Sequence, residues 1–352
     1  MTRRRQESPN AYRASKAAIP SPVNGCGPSF RSGTGLRSTA LPASKVSIVT
    51  VGFIPGLNFV GWANAVSADV SARCQTGVSP VGDGFRMTNT ANTSISNTTA
   101  SAWTGMVPVD DTALYVTDSG GAGTPVLYLN GAYADHKHWR KVIAELGSGL
   151  RHITFDERAR GKSERSADYS FEACLRDIDA VLAARGVERA ILVGWSYGGV
   201  LAWHWTDRNP ERVAGVVTVD SAPYGLTGPE GAERIRKLFH RMRFLLPLTR
   251  PFGMAARMSA AEHAEVNIEL NEIADASGPV LERLRRPVRF VVATGNSLGS
   301  EDGEMEKART ALEPVFANNP NVVLSAKVSS NHSKILSKDF AAIADAVREI
   351  AG

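Results

Sequence analysis

Gly194-Trp195-Ser196-Tyr197-Gly198 is the stretch of this 352-residue chain whose residue types and spacing could do chemistry. A serine hydroxyl is a poor nucleophile until a general base takes its proton. A sharp strand-to-helix turn presents such a serine to a base. Side chains two positions to either side would clash at a bend that tight, which is the steric reason for glycine at 194 and 198. Ala190-Ile191-Leu192-Val193 before the turn reads as a buried strand, and Val200-Leu201-Ala202-Trp203 after it as helix. A nucleophile held in this way calls for a histidine beyond the last strand and an acid to orient it. Of the seven histidines, His332 has that placement, in the polar loop Ser329-Ser330-Asn331-His332-Ser333 past the final predicted strand. His136 and His138 precede a helix, His152 enters a strand, His204 rides the helix after the turn, and His240 and His263 fall in a helical stretch. His332 is therefore the expected base.

Attack on a carbonyl creates an oxyanion, which fixed backbone N–H groups stabilise better than water does. One donor is expected to be the N–H of Tyr197, just after the nucleophile. The other is expected from Asn130-Gly131-Ala132-Tyr133, most simply the N–H of Ala132, in the loop that ends the strand over 126–129.

The elements that must position these groups alternate. Residues 106–109 and 113–117 read as a hairpin around Asp110-Asp111. Strands follow over 126–129, 153–155, 190–193, 213–219, 288–293 and 322–328. Helices are expected over 134–146 with Asp135 as N-cap, then 171–185, 200–209, near 304–316, and 340–350. Such alternation predicts an α/β fold with a mostly parallel, doubly wound sheet covered on both faces. Ligands of such sheets bind beyond the carboxyl ends of the strands, where the serine turn and the Asn130 loop both lie. Residues 225–285 break the rhythm; they are helical and strand-free, a helical insertion over the edge of the sheet.

Composition bounds the partners. The net charge of +5 is confined to the start of the chain: residues 1–86 hold ten Lys/Arg against three Asp/Glu, leaving 30 basic and 32 acidic residues for the rest. The body carries no nucleic-acid footprint. The three cysteines, Cys26, Cys74 and Cys174, make neither a disulfide framework in the body nor a metal-ligand spacing, so no metal and no cofactor is expected. Cys174 falls in a helical pattern and reads as a small buried apolar residue. Residues 1–103 read as a disordered basic extension, and the apolar run 46–68 is too interrupted by Gly, Pro and Asn for a membrane span. The extension is compatible with a signal peptide, with an organelle transit sequence, or with a true start at Met87 that leaves 1–86 outside the native protein. The last is preferred, giving a cytoplasmic protein with a small-molecule substrate and no nucleic-acid or membrane partner; secretion or organelle targeting is the alternative.

The chain resembles the α/β-hydrolase superfamily. Leu129-Asn130-Gly131-Ala132-Tyr133 is similar to its His-Gly oxyanion loop, with Asn130 in place of the His. Phe155-Asp156-Glu157-Arg158-Ala159-Arg160-Gly161-Lys162-Ser163 is similar to its Asp-x-Arg-Gly-x-Gly-x-Ser segment, with Ala159 where a Gly is usual. With the serine turn and His332 the resemblance spans about 104–352. It implies a hydrolase domain whose 225–285 segment is a cap over the pocket. Serine at 196 sets the chain apart from the dehalogenase and epoxide-hydrolase branches, which resemble it but use Asp there.

The resemblance leaves two places for the acid. One lies past the glycine ending the penultimate strand, where Leu298 holds the usual position and Asp302 follows it. The other closes the strand after the serine helix, at Asp220. Asp220 is preferred and Asp302 is the alternative; Asp156 and Arg158 read as loop-fixing residues. The expected activity is a cofactor-free, carboxylesterase-like serine hydrolase acting on a small to medium ester or lactone, in a pocket that includes Tyr133, Trp195 and Tyr224. The same triad would serve a perhydrolase or a C–C bond hydrolase, and a non-catalytic ligand-binding protein would keep the fold alone.

Overall fold

A computed structural model describes residues 100–252, 255–295 and 304–352. The basic extension thus lies outside the described residues up to residue 99, as do Leu298 and Asp302. The described residues begin at residue 100, inside the span read as extension. Ala100 already bridges Gly121, and β1 (Trp103–Val109) begins with Trp103 paired to Asp118 and covered by the Arg185 guanidinium, 4.5 Å from its ring.

Along the chain follow β2 (Thr112–Asp118), β3 (Pro125–Leu129), α1 (Arg140–Leu146), β4 (Arg151–Phe155), α2 (Phe171–Ala184), β5 (Ala190–Trp195), α3 (Tyr197–Arg208) and β6 (Val213–Val219). The helices α4 (Gly228–Met242), α5 (Leu246–Thr249), α6 (Ala260–Asp275) and α7 (Gly278–Arg283) come before β7 (Val288–Ala293). The chain ends with α8 (Glu304–Thr310), α9 (Glu313–Asn318), β8 (Val322–Val328), α10 (Ile335–Lys338) and α11 (Phe340–Ala351). The strands form one sheet in the order β1-β2-β4-β3-β5-β6-β7-β8, antiparallel from β1 to β4 and parallel from β4 to β8.

The central strands are buried on both faces because successive side chains point to opposite sides of a strand. Leu127, Leu129 and Leu192 join Leu175 and Ile178 of α2 and Leu201 and Trp205 of α3 in one core. Val126, Tyr128, Ile191, Val193 and Trp195 join Val142 of α1 and Ile343 and Val347 of α11 in the other. Apolar runs such as Ala190–Trp195, buried throughout, are what a sheet covered on both sides requires. Cys174 is buried and unbridged in the first core, and burial pushes its thiol up to about 12.

Three expected helices differ in detail. The one expected over 134–146 opens as a 3₁₀ turn, His136–Trp139, before α1. Asp135 accepts from the Lys137 N–H and Asp156 from the His136 N–H, and these two carboxylates hold a turn too tight for an α-helix. The helix expected near 304–316 is two, and α9 restarts with Pro314 in its first turn, where a missing N–H costs nothing. Helix α3 begins at Tyr197, directly on the serine. Between β6 and β7 every element among the described residues is helical, α4 to α7 and the 3₁₀ turn Arg250–Phe252, and α4 packs on α6. Among the described residues no helix is long and apolar enough to cross a membrane.

Candidate active site

Ser196 occupies the junction of β5 and α3 with φ 55° and ψ −115°, a conformation a non-glycine residue adopts only when its surroundings enforce it. Its N–H donates to the Val219 carbonyl at 3.0 Å, and its own carbonyl accepts from the Ser221 hydroxyl at 2.8 Å. The flanking glycines answer a measurable lack of space. A Cβ on Gly194 would stand 2.2 Å from the Gly198 carbonyl oxygen, and one on Gly198 would stand 2.1 Å from that of Leu129. Both obstacles are backbone, which cannot swing aside. Gly198→Ala is therefore expected to cost about 3 kcal/mol or more. The expected result is a large fall in melting temperature or loss of soluble protein; near-native melting would show that the turn is not held this closely.

His332 reaches the site from the loop after β8. Its Nδ1 lies 2.7 Å from Oδ2 of Asp220, and both side chains are mostly buried. Asp220 follows the last residue of β6 with φ 49°, and its Oδ1 accepts from the Ala293 N–H at 2.9 Å. The carboxylate is an acceptor, so the proton of the neutral imidazole sits on Nδ1 and the Nε2 lone pair is open. That Nε2 is buried and without a hydrogen-bond partner among the described residues. The ring packs on Trp195 at 5.5 Å between centroids. His332 and Ser196 line one small cavity with Gly131, Ala132, Tyr133, Ala134 and Trp195. They make no hydrogen bond to each other, as is common for such pairs before a substrate is bound. Of the other residues singled out from the sequence, Asp302 lies outside the described residues. Tyr224 is half-buried in the segment leading to α4 and is not among the residues lining this cavity.

The loop opposite the serine is held from behind. Asn130 donates its backbone N–H to Glu157 Oε1 at 2.9 Å, and its side-chain amide to Glu157 Oε2 at 2.8 Å and the Phe155 carbonyl at 2.7 Å. Its side-chain oxygen accepts from the Trp139 indole at 2.8 Å. The Ala132 carbonyl is drawn toward Arg160 Nε at 2.8 Å. The N–H groups of Ala132 and Tyr197 donate to no acceptor among the described residues. That of Tyr197 is the first of α3, where the helix offers it no partner. Tyr133 donates its hydroxyl to the His263 carbonyl of α6 at 3.0 Å and accepts from the Asn267 amide, which ties this loop to the helical segment.

Asp156 and Arg158 make the bonds of loop-fixing residues. Asp156 accepts from the His136 and Lys162 N–H groups at 2.7 and 2.8 Å, and Arg158 is fully buried against Asp177 and also reaches Asp110. Ala159, where the resembling segment usually has Gly, takes φ 61°.

Sequence reasoning missed Glu157, Arg160 and Ser221. A charged residue in a polar loop reads as solvated, and nothing local shows that 157 and 160 are folded against the Asn130–Ala132 loop. Removal from water pushes Glu157 up to about 7. A carboxyl raised in the folded state stabilises least when ionised, so its contribution falls as pH rises from about 4.5 to about 7. Glu157→Gln should thus gain on the wild type as pH is raised, by an amount of order 1–3 kcal/mol between pH 5 and pH 8. Any pH-independent cost of the new amide cancels in that difference. Melting of both proteins at the two pH values checks it, and a constant gap would show that Glu157 titrates normally.

A family model described as the alpha/beta hydrolase fold matches residues 124–283. The chain is 35% identical over 136 residues to the 2-hydroxymuconate semialdehyde hydrolase of Pseudomonas sp. (strain CF600), covering 36% of this chain and 48% of that protein. It is 30% identical over 115 residues to a haloalkane dehalogenase of Mesorhizobium japonicum, covering 32% of this chain and 37% of that protein. The chain thus matches less than half the length of these curated relatives. Among solved structures, a thermophilic esterase from Thermogutta terrifontis superposes with a TM-score of 0.56 at 21% identity, over 72% of this chain and 100% of that one.

Proposed function

We propose that the chain is a serine hydrolase of the α/β-hydrolase superfamily, cleaving a small to medium ester or lactone through an acyl-enzyme on Ser196. The observation that carries this reading is the 2.7 Å contact from His332 Nδ1 to Asp220, with the open Nε2 beside the cavity that Ser196 lines. Ser196 Oγ attacks the carbonyl carbon as His332 Nε2 takes its proton. The oxyanion settles on the Ala132 and Tyr197 N–H groups, and the imidazolium, held by Asp220, returns the proton to the leaving alkoxide. Water then cleaves the acyl-enzyme by the same steps in reverse order.

Serine chemistry favours an acyl substrate. Attack by Ser196 on an alkyl halide or an epoxide would leave an ether, which water does not cleave under these conditions, whereas an acyl ester turns over. The cavity beside Ser196 holds about 10 Å³, roughly one water. A larger substrate therefore needs the side chains that line the cavity, Tyr133 and Trp195 among them, to give way.

A fluorophosphonate probe and short p-nitrophenyl esters, without peroxide, test the reading together. Labelling and turnover are expected for the wild type and lost in Ser196→Ala; a wild type that does neither contradicts it. Similarity to the 2-hydroxymuconate semialdehyde hydrolase supports a second reading, C–C bond hydrolysis by the same residues. Faster cleavage of a vinylogous diketone than of any ester in the panel would favour it.

A further inference from the structure

Glu157 is 1% exposed, and its bonds set it apart from the other buried acids. Asp118 and Asp177 face arginines. Glu157 instead places both oxygens on one neutral residue. Oε1 accepts from the Asn130 backbone N–H at 2.9 Å, and Oε2 accepts from the Asn130 side-chain amide at 2.8 Å. The rest of that side chain is occupied too, its amide also donating to the Phe155 carbonyl and its oxygen accepting from the Trp139 indole. Two residues on, the Ala132 carbonyl is gripped by Arg160 Nε at 2.8 Å. The loop is thus pinned at the Asn130 N–H and at the Ala132 carbonyl, and the Ala132 N–H lies between the two pins.

Charge decides whether the first pin holds. Asn130 shows Glu157 only N–H groups, so both oxygens must accept. A carboxylate does this with each oxygen. A carboxylic acid has an O–H to place among donors, and one of the two bonds is weakened or lost. Burial opposes the charge and pushes the carboxyl up to about 7, while Arg160 and the two Asn130 donors favour it. The Cys174 thiol of α2, kept protonated by its own burial, is the other titratable group that feels Glu157. The charged chain neighbours are engaged elsewhere, Asp156 with the His136 and Lys162 N–H groups and Arg158 with Asp177 and Asp110.

We propose that Glu157, as the carboxylate, is a positioning residue for the oxyanion: it holds the Ala132 N–H where negative charge develops, and turnover rises as Glu157 loses its proton. This rests on the acyl-enzyme reading and gives that site a second control on the acid side. His332 must be neutral to accept the serine proton, and Glu157 must be ionised to hold the donor. Over the pH range in which ionising Glu157 costs the fold stability, the same ionisation completes the site.

Wild type, Glu157→Gln and Glu157→Asp are compared on p-nitrophenyl butyrate from pH 5.5 to pH 8.5, with fluorophosphonate labelling of Ser196 alongside. At pH 8.5 Glu157→Gln is expected to lose at least about tenfold in kcat, because a displaced donor fails the oxyanion. Its KM should change by less than about threefold, since the ground-state carbonyl asks little of that donor. The wild-type-to-Gln ratio in kcat should shrink to about twofold at pH 5.5, where neither protein is charged at 157. Glu157→Asp keeps a carboxylate, so its ratio to Glu157→Gln should shrink in the same direction. Each ratio cancels the titration of His332, and a merely structural role would leave it constant. A folded Glu157→Gln whose deficit is absent, or equal at every pH, overturns the proposal; labelling of Ser196 then leaves the hydrolase reading intact. A wild type that neither labels nor turns over esters sinks the hydrolase reading and this proposal with it. Should Glu157→Gln not fold, the wild-type profile decides. Its log kcat/KM should approach a slope of two on the acid side, one proton each from His332 and Glu157, and a slope of one down to pH 5 overturns the proposal.

Discussion

Ser196→Ala is expected to lower kcat/KM on an activated ester by at least about 10⁴-fold, since no other hydroxyl stands where a covalent intermediate forms. The residual rate would come from the Ala132 and Tyr197 N–H groups acting on a directly attacking water. The same position carries a second, structural expectation. Ser196 is held at φ 55°, where alanine is as strained as serine and glycine is not. Ser196→Gly should therefore melt above Ser196→Ala, by about 1 kcal/mol in stability, with both inactive. Steady-state kinetics and thermal melting of the two variants check both halves. Persistent esterase activity in Ser196→Ala would place the nucleophile elsewhere; equal melting would mean the turn stores no strain.

Asp220→Asn is the second large effect, a loss of about 10³- to 10⁴-fold in kcat with the fold unchanged. Asparagine tolerates the φ of 49° at this position, so the backbone has no reason to move. The hydrogen bonds decide the outcome. Oδ1 accepts from the Ala293 N–H at 2.9 Å and Oδ2 from His332 Nδ1 at 2.7 Å, and an amide can accept at only one of these two places. If its oxygen stays on Ala293, its NH₂ meets His332 Nδ1, which must then become the acceptor. The imidazole proton moves to Nε2, and the lone pair that should take the serine proton is gone. If the amide is reversed, its NH₂ faces the Ala293 N–H and the loop is pushed apart. Asp302→Asn, the alternative drawn from the sequence, is expected to change kcat by less than about threefold. A larger loss in Asp302→Asn than in Asp220→Asn would reverse the assignment.

The legible parts of this protein were those with local causes. The continuous apolar strands alternating with helices gave the parallel sheet and its two covering layers, because burial on both faces demands strands apolar throughout. The Gly-x-Ser-x-Gly turn was legible because its glycines answer contacts made within a few residues, such as Gly194 against Gly198. Helix boundaries at His136 and Glu313 were less so, since they depend on a distant Asp156 and on where Pro314 meets the turn before it.

The order of elements and the residues of the serine turn are sequence facts, and from them followed the architecture, the nucleophile and the loop that carries His332. What only the tertiary structure decided is which groups meet. Asp220 and His332 are 112 residues apart, and their contact exists because β6 and β8 flank β7 in the sheet. Glu157 and Arg160, plain loop charges in one dimension, are buried under the Asn130–Ala132 backbone and hold it. A residue's type fixes what it can donate or accept, but burial and the partner across the fold decide whether that capacity is spent, shifted or left open. Those belong to packing, which no short stretch of sequence records.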